Sequence, residues 1–449
     1  MWNTSRFMLR CLKGLDAVLV TLVFSVCFYI FSFNTIQQAN RYFVFCGMII
    51  VFFLLYCIFG KIYDAFTVSL FRISELVYSQ VLAYLLTDTI LYICICLMQN
   101  KLISLYFPFL MCVFQFPVVI LWCKYAHKWY FKSYPPKKSI VVYDMREGLE
   151  KLIGKYELGH KFNVDKVVTS EECLQQLDML QNYETVFFSG VHSHERNVIL
   201  KYCIMNRIVS YVIPRIGDVI MRSAKPVHML HLPVMRVTYY NPSPFYLFIK
   251  RVFDILVAFC ALLVLSPVFV ITAIAIKVSD GGPVFYKQER MTKNGKKFMI
   301  HKFRSMRVDA EKDGVARLSS GENDDRITSV GRFIRKVRID ELPQLIDILA
   351  GNLSIVGPRP EREEIALQYE KEMPEFRLRL QAKAGLTGYA QVYGKYNSTP
   401  YDKLQMDLLY LANPSFVEDL RICFATVKIL FMSESTDGVS TESTTALMK

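Results

Sequence analysis

Two adjacent carboxylates, Asp340 and Glu341, stand in the run GRFIRKVRIDELPQLIDILAGN. Pro343 is acceptable in a first helical turn, and QLIDILAGN follows with helical spacing and a glycine exit, so the pair is expected at a helix N-terminus. Free backbone amides and the helix dipole there favour anions, whether a carboxylate or an incoming phosphate. Side-by-side carboxylates repel unless cations share the site. Arg335 and Arg338 are close in sequence, and a divalent metal would complete the balance. Downstream, Gly357-Pro358-Arg359-Pro360 holds an arginine in a stiff loop suited to forked contact with a phosphate. Upstream, Lys302 and Arg304 alternate with Phe303 in HKFRSM and so project from one side of a strand. An isolated DELP would read as a capped helix with surface ion pairs. Here a basic hairpin, a membrane segment and an arginine loop converge on it, and the residue types suit a phosphorylated substrate.

The elements that must position these groups begin with an apolar stretch, Val252 to Val278, flanked by Lys250-Arg251 and carrying Lys277 near its end. It is long enough to span about 30 Å of hydrocarbon as one straight helix. Ser266-Pro267 lies at its middle, where proline removes a backbone donor, and basic residues lie at both ends. A re-entrant segment that bends at Ser266-Pro267 and leaves on the face it entered satisfies both features, with limbs of only about 20 Å. A kinked spanning helix is the competing reading. After it, GGPVFYKQERMTKNGKKFMIHKFRSMR reads as a β-hairpin turning at Asn294-Gly295, with Lys287, Arg290, Lys293, Lys296, Lys297 and Arg307 adding a basic surface that suits anionic headgroups.

Four further apolar runs open the chain, at Leu15 to Phe33, Phe43 to Phe59, Leu76 to Met98 and Leu102 to Trp122, each near spanning length. Basic residues cluster before the first run, between the second and third and after the fourth, so both ends of this bundle are expected in the cytoplasm. Asp88 is read as the one acid inside a run, hydrogen-bonded to a neighbouring helix. Past a stiff linker at Tyr134 to Lys138, strand-like runs at Ile140 to Asp144, Lys166 to Ser170, Thr185 to Ser189 and Ile208 to Ile213 alternate with helical ones, predicting a small parallel βαβ sheet. No G-x-G-x-x-G follows the first strand, which argues against a nucleotide site there. A proline-rich connector at residues 214–249 leads back to the membrane.

Composition agrees with a membrane protein. The 449 residues are 53% hydrophobic with a formal charge of +13, which favours lipid headgroups and phosphorylated substrates over nucleic acid. None of the 12 cysteines forms a C-x-x-C pair and the seven histidines lack metal-ligand spacing, so neither a disulfide framework nor a zinc site is expected. The first apolar run lacks a small-residue cleavage exit, so it reads as a spanning helix and not as a signal peptide.

Taken together, Lys250-Arg251, Ser266-Pro267, GGPVFYKQER, KFRSM, DELPQL, GNLSIVGPRPE, GLTGYAQV and KLQMDLLYLANPSFVEDLRICFATVKIL resemble the bacterial sugar transferase family, the monotopic polyprenyl-phosphate phosphoglycosyl transferases, over residues 245 to 435. The amino-terminal additions resemble those of large members such as undecaprenyl-phosphate galactose or glucose phosphotransferases. The resemblance implies a re-entrant helix at 252–278, Asp340 as nucleophile, and Glu341 as its partner and a magnesium ligand. It also implies phosphate contacts at Arg335, with Arg359, Lys302 and Arg304 at other motif positions. The implied reaction moves a sugar 1-phosphate from a UDP-sugar to polyprenyl phosphate at the cytoplasmic face of a bacterial inner membrane, releasing UMP. Asn352, Ala384, Tyr389 and Tyr393 depart from the family's usual residues.

The expected fold is membrane α/β. A four-helix transmembrane bundle (1–133) is followed by a Rossmann-like βαβ domain (134–235), a connector (236–249), a mainly α catalytic domain (250–435) and a tail (436–449). The bundle and βαβ unit offer surfaces for a homodimer. Two rival readings are a metal-dependent glycosyltransferase releasing UDP, with Asp324-Asp325 as its nearest D-x-D candidate, and a catalytically idle membrane regulator.

Overall fold

Apolar runs in hydrocarbon fold as helices because the backbone must satisfy its own hydrogen bonds there. The computed structural model describes residues 2–32, 41–229, 231–308, 310, 326–394 and 399–430. Its first four helices are α1 (Trp2–Ser32), α2 (Arg41–Ile62), α3 (Ile73–Gln99) and α4 (Tyr106–Ser133). Phe24, Phe52 and Tyr56 are buried between them, while Leu22, Leu54, Phe109 and Leu121 are exposed on outer faces. Gln115 Nε2 on α4 donates to Asp88 Oδ1 on α3 at 3.4 Å. Asp88 is not alone, however. Asp16, at the start of the first apolar run, is fully buried and accepts from the Tyr56 hydroxyl at 3.0 Å.

The bundle and a small sheet form one compact unit, Met1–Tyr143 with Leu149–Tyr211. The chain runs β1 (Lys137–Tyr143), α5 (Leu149–Lys155), β2 (Phe162–Thr169), α6 (Ser170–Gln175), β3 (Thr185–Ser189), α7 (Ser193–Met205) and β4 (Val209–Val212). Strand order is β2-β1-β3-β4, with β1 parallel to both neighbours. Ile140, Val142, Val186 and Phe188 form its core, the result of short apolar strands covered by helices.

The second unit comprises Asp144–Gly148 and Val212–Lys449. Residues 212–235, expected with the βαβ domain, therefore belong here. The reason is packing: Ile216 and Val219 of α8 (Ile216–Arg222) share a core with Leu404 and Leu408. After the hairpin β5 (Lys225–Met229) and β6 (Leu232–Arg236) comes α9 (Pro244–Asp280), then β7 (Phe285–Met291), β8 (Lys297–Phe303) and α10 (Ser329–Lys336). The unit continues through α11 (Gln344–Ala350), β9 (Ser354–Val356), α12 (Glu363–Glu372), β10 (Gly385–Thr387), α13 (Tyr389–Tyr393), α14 (Pro400–Ala412) and α15 (Phe416–Leu430).

β7 and β8 pair antiparallel, Tyr286 opposite Lys302, around a turn in which Asn294 and Gly295 have φ of 58° and 74°. Positive φ at both positions suits Asn-Gly. β9 and β10 pair parallel.

α9 is continuous helix through Ser266-Pro267, where a helix-break-helix was expected. Proline at 267 leaves the Leu263 carbonyl without its helical donor, and Ser266 Oγ donates to that carbonyl at 2.8 Å. That bond removes much of the reason for the helix to stop. Among the described residues, α1 to α4 and α9 are the five helices long and apolar enough to cross a membrane, and only 11% of the most apolar window of α9 is buried. Asp324-Asp325 and the tail at 436–449 lie outside the described residues.

Candidate active site

Thr328 caps α10 through Gly331 N at 2.9 Å, and Arg338 follows the helix with φ of 58°. This left-handed residue swings the chain into a 3₁₀ turn, Ile339–Glu341, which carries both carboxylates. The acidic pair therefore sits one turn before α11 and not within its first turn, because Pro343 takes the position just ahead of Gln344. α11 ends at Gly351 with φ of 85°.

Asp340 and Glu341 face different surroundings. Glu341 Oε1 receives Lys302 Nζ at 2.9 Å and Arg359 Nη2 at 2.8 Å. Asp340 is 9% exposed, and its Oδ1 is buried with no hydrogen-bond partner. Arg335 on α10 likewise holds a buried Nη1 without a partner. Burial, then the Glu341 charge, pushes the Asp340 carboxyl up to about 6, against the pull of Lys302, Arg335 and Arg338. Burial also opposes the Glu341 anion, but Arg359, Lys302 and Arg338 together hold its carboxyl well below the ordinary range. The pair is thus polarised: Glu341 is a fixed anion, and Asp340 is an under-solvated one.

The Arg359 loop is built by close backbone approach. A Cβ on Gly357 would overlap the Lys383 carbonyl and Gly385 N, and one on Gly388 would overlap the Gly357 carbonyl. Gly357 N donates to the Thr387 carbonyl and Gly385 N to the Pro358 carbonyl, both at 2.9 Å. Arg379 Nη2 donates to the Arg359 carbonyl at 2.9 Å, and the same guanidinium reaches buried Asp407 at 2.6 to 2.8 Å and Glu361 at 3.7 Å. Arg290 Nη1 donates to the Pro360 carbonyl at 3.2 Å.

Of the residues singled out in the sequence, Lys302, Arg335, Arg359, Asp340 and Glu341 converge. Arg304 does not. Phe303 turns into the core and Lys302 turns to Glu341, but the Arg304 guanidinium pairs with Asp280 at the end of α9 and donates to the Pro283 carbonyl at 2.6 Å. It is consumed in fastening the helix to the hairpin.

Lys250-Arg251, which flank the apolar stretch, join several acids in positioning the site. Asp254 on α9 accepts from Ser354 Oγ at 2.8 Å and Ile355 N at 3.0 Å. Arg251 donates to the last carbonyls of α11, Ile348 at 2.6 Å and Leu349 at 2.9 Å. Asp347 grips His301 through its backbone N at 2.9 Å and ring Nδ1 at 2.7 Å. Asp419 gathers Lys250, Tyr246 and Tyr410 within 2.9 Å. The available signal was an acid inside an otherwise apolar helical run, as in VFDILVAF.

Among the described residues no group of three or more His, Cys, Asp or Glu side chains gathers as a metal site. The Asp340–Glu341 pair nonetheless fits a hard cation that takes one or two carboxylates together with substrate phosphates, because Asp340 Oδ1 is buried without a partner.

The fold and site define a membrane protein that presents a buried, cation-lined acidic pair. The chain belongs to the bacterial sugar transferase family, whose sequence model matches residues 245–433. It is 37% identical over 234 residues to UDP-N-acetylgalactosamine-undecaprenyl-phosphate N-acetylgalactosaminephosphotransferase of Aeromonas hydrophila, covering 51% of this chain and 54% of that one. It is 41% identical over 201 residues to the exopolysaccharide production protein PSS of Rhizobium leguminosarum bv. phaseoli, covering 43% of this chain and 98% of that one. UDP-glucose:undecaprenyl-phosphate glucose-1-phosphate transferase of Escherichia coli (strain K12) is 40% identical over 184 residues, with 40% and 39% covered. The matches thus span about half or less of the first and third relatives, and nearly all of the second.

Proposed function

We propose that the chain transfers a sugar 1-phosphate from a UDP-sugar to polyprenyl phosphate, as the first membrane step of exopolysaccharide, capsule or O-antigen synthesis. The observation that carries this reading is the polarised pair: Asp340 with a buried, unpartnered oxygen beside Glu341 held by Lys302 and Arg359. The relatives named for undecaprenyl-phosphate sugar phosphotransfer support it.

In the first step an Asp340 carboxylate oxygen attacks the β-phosphorus of the donor. A P–O bond forms to Asp340, the bond to the bridging oxygen breaks, and UMP leaves with that electron pair. Burial leaves the attacking anion poorly solvated, so little water must be stripped from it. Arg335 and Arg359 are placed to meet charge on the transferring phosphoryl group. Magnesium held by Asp340 and Glu341 would neutralise charge on the diphosphate. In the second step an oxygen of the polyprenyl phosphate attacks the same phosphorus, the Asp340–phosphorus bond breaks, and polyprenyl diphosphate sugar departs.

The lipid acceptor accounts for the placement of α9. Arg251 near its start binds Ile348 and Leu349, while Asp280 at its end pairs with Arg304. A straight helix would separate those positions by about 43 Å. Both ends nevertheless pack on one unit, in which Asp347 and His301 join α11 to β8. This favours a re-entrant course bent at Pro267, with the site at the cytoplasmic face of an inner membrane.

The test is nucleotide release from a panel of UDP-sugars with polyprenyl phosphate and magnesium. UMP from the unmodified chain, and none from Asp340→Asn, is the expected result; UDP would overturn the reading in favour of direct glycosyl transfer.

A further inference from the structure

Lys403 is a half-buried lysine on α14 that the proposed reaction has not used. One helical turn after it, on the same face, Asp407 binds Arg379, and Arg379 in turn donates to the Arg359 carbonyl. Lys403 therefore lies along the helix face turned toward the Arg359 loop. The other charges around it are engaged: Asp407 with Arg379, Glu361 with Arg290 and Arg379 at 3.7 Å, and Arg359 with Glu341. The Lys403 ammonium itself has no hydrogen bond or ion pair among the described residues. Burial pushes it below the ordinary lysine range; Glu361 and Asp407 work against that shift, whereas Arg359 and Arg379 add to it.

A partly desolvated cation facing only engaged groups is unfavourable unless an anion arrives. On its face of α14, the open partner is whatever occupies the space beside Arg359. Arg335 and Arg359 are already assigned to the transferring phosphoryl group, which leaves the adjoining phosphate of the donor without a cation of its own. We infer that Lys403 is a substrate-binding residue for the phosphate of the leaving nucleotide, gripping the end of the donor that does not stay on Asp340. The inference rests on the phosphoglycosyl reading.

Binding of UDP, which carries the nucleotide without needing the sugar to be known, tests it by calorimetry on the full chain in lipid nanodiscs. Lys403→Gln is expected to weaken UDP about tenfold and Lys403→Arg much less, the difference being one charge-assisted contact. Farnesyl phosphate, a short lipid phosphate, is expected to bind Lys403→Gln as it binds the parent, and the melting temperatures should agree. Unchanged UDP affinity in Lys403→Gln would overturn the assignment and leave the reaction standing. A matching loss of farnesyl phosphate would overturn it by making Lys403 an acceptor-side residue. Failure of the parent itself to bind UDP would overturn this inference, while the reaction stands or falls separately on the release of UMP from the UDP-sugar panel.

Discussion

At neutral pH Asp340 carries a charge that its surroundings resist, since burial raises its carboxyl from an ordinary 3.8 to about 6. Two outcomes follow with opposite pH signs. On the proposed mechanism UMP release needs the anion, so its rate is expected to rise with pH to a plateau above a midpoint near 6, checked by initial rates at saturating donor from pH 5 to 8. Stability runs the other way. A carboxyl raised on folding contributes fully below its unfolded value and loses that contribution as pH rises through the folded one. Asp340→Asn is therefore expected to stabilise the chain by about 1–3 kcal/mol at pH 7.5 and to leave it unchanged near pH 4, read from melting temperatures in detergent. The adjacency of the two carboxylates, and the arginines beside them, were legible from sequence. Their unequal surroundings were not, because Lys302 and Arg359 reach Glu341 from 39 residues upstream and 18 downstream. The fate of Arg304 was illegible for the same reason: its partner Asp280 is set by where α9 ends.

Strands and helices with local signals were read well, while elements stabilised by distant contacts were not. Asn294-Gly295 marked its turn, and alternating short apolar runs marked the β1–β4 sheet, because the information lies within a few residues. The exchange of residues 212–235 from one unit to the other was hidden, since Ile216 and Val219 find their core beside Leu404. At Pro267 of α9, Ser266 Oγ donates to the Leu263 carbonyl that the proline leaves without its helical donor, a contact that no hydrophobic pattern reveals. The glycines of GPRP and GLTG illustrate the same limit: their need for bare backbone comes from the pairing of two loops. Gly357→Ala is expected to lose about 1–3 kcal/mol of stability and to slow UMP release by displacing Arg359. Gly217→Ala on α8, with open space at its Cβ, serves as the silent control, and melting curves with initial rates of both variants decide the matter.

The proposed reaction requires a soluble nucleotide sugar and a lipid phosphate to meet at one carboxylate on one face of the bilayer, and both ends of α9 pack on the unit that carries it. That requirement makes the course of α9 a property of the whole molecule, and it can be read without altering any residue. Lys225 precedes α9, Lys287 follows it, and both are exposed, as is Lys101 in the link between α3 and α4. A membrane-impermeant amine reagent applied to sealed vesicles of either orientation, with the modified lysines located by mass spectrometry, separates the courses. A re-entrant α9 modifies Lys225 and Lys287 together from the cytoplasmic face and Lys101 only from the opposite one. A spanning α9 would modify Lys225 and Lys287 from opposite faces. The contacts of Arg251 with α11 and of Asp280 with Arg304 would then have to be broken at one end, because the unit that makes both could not stand on two sides of the membrane.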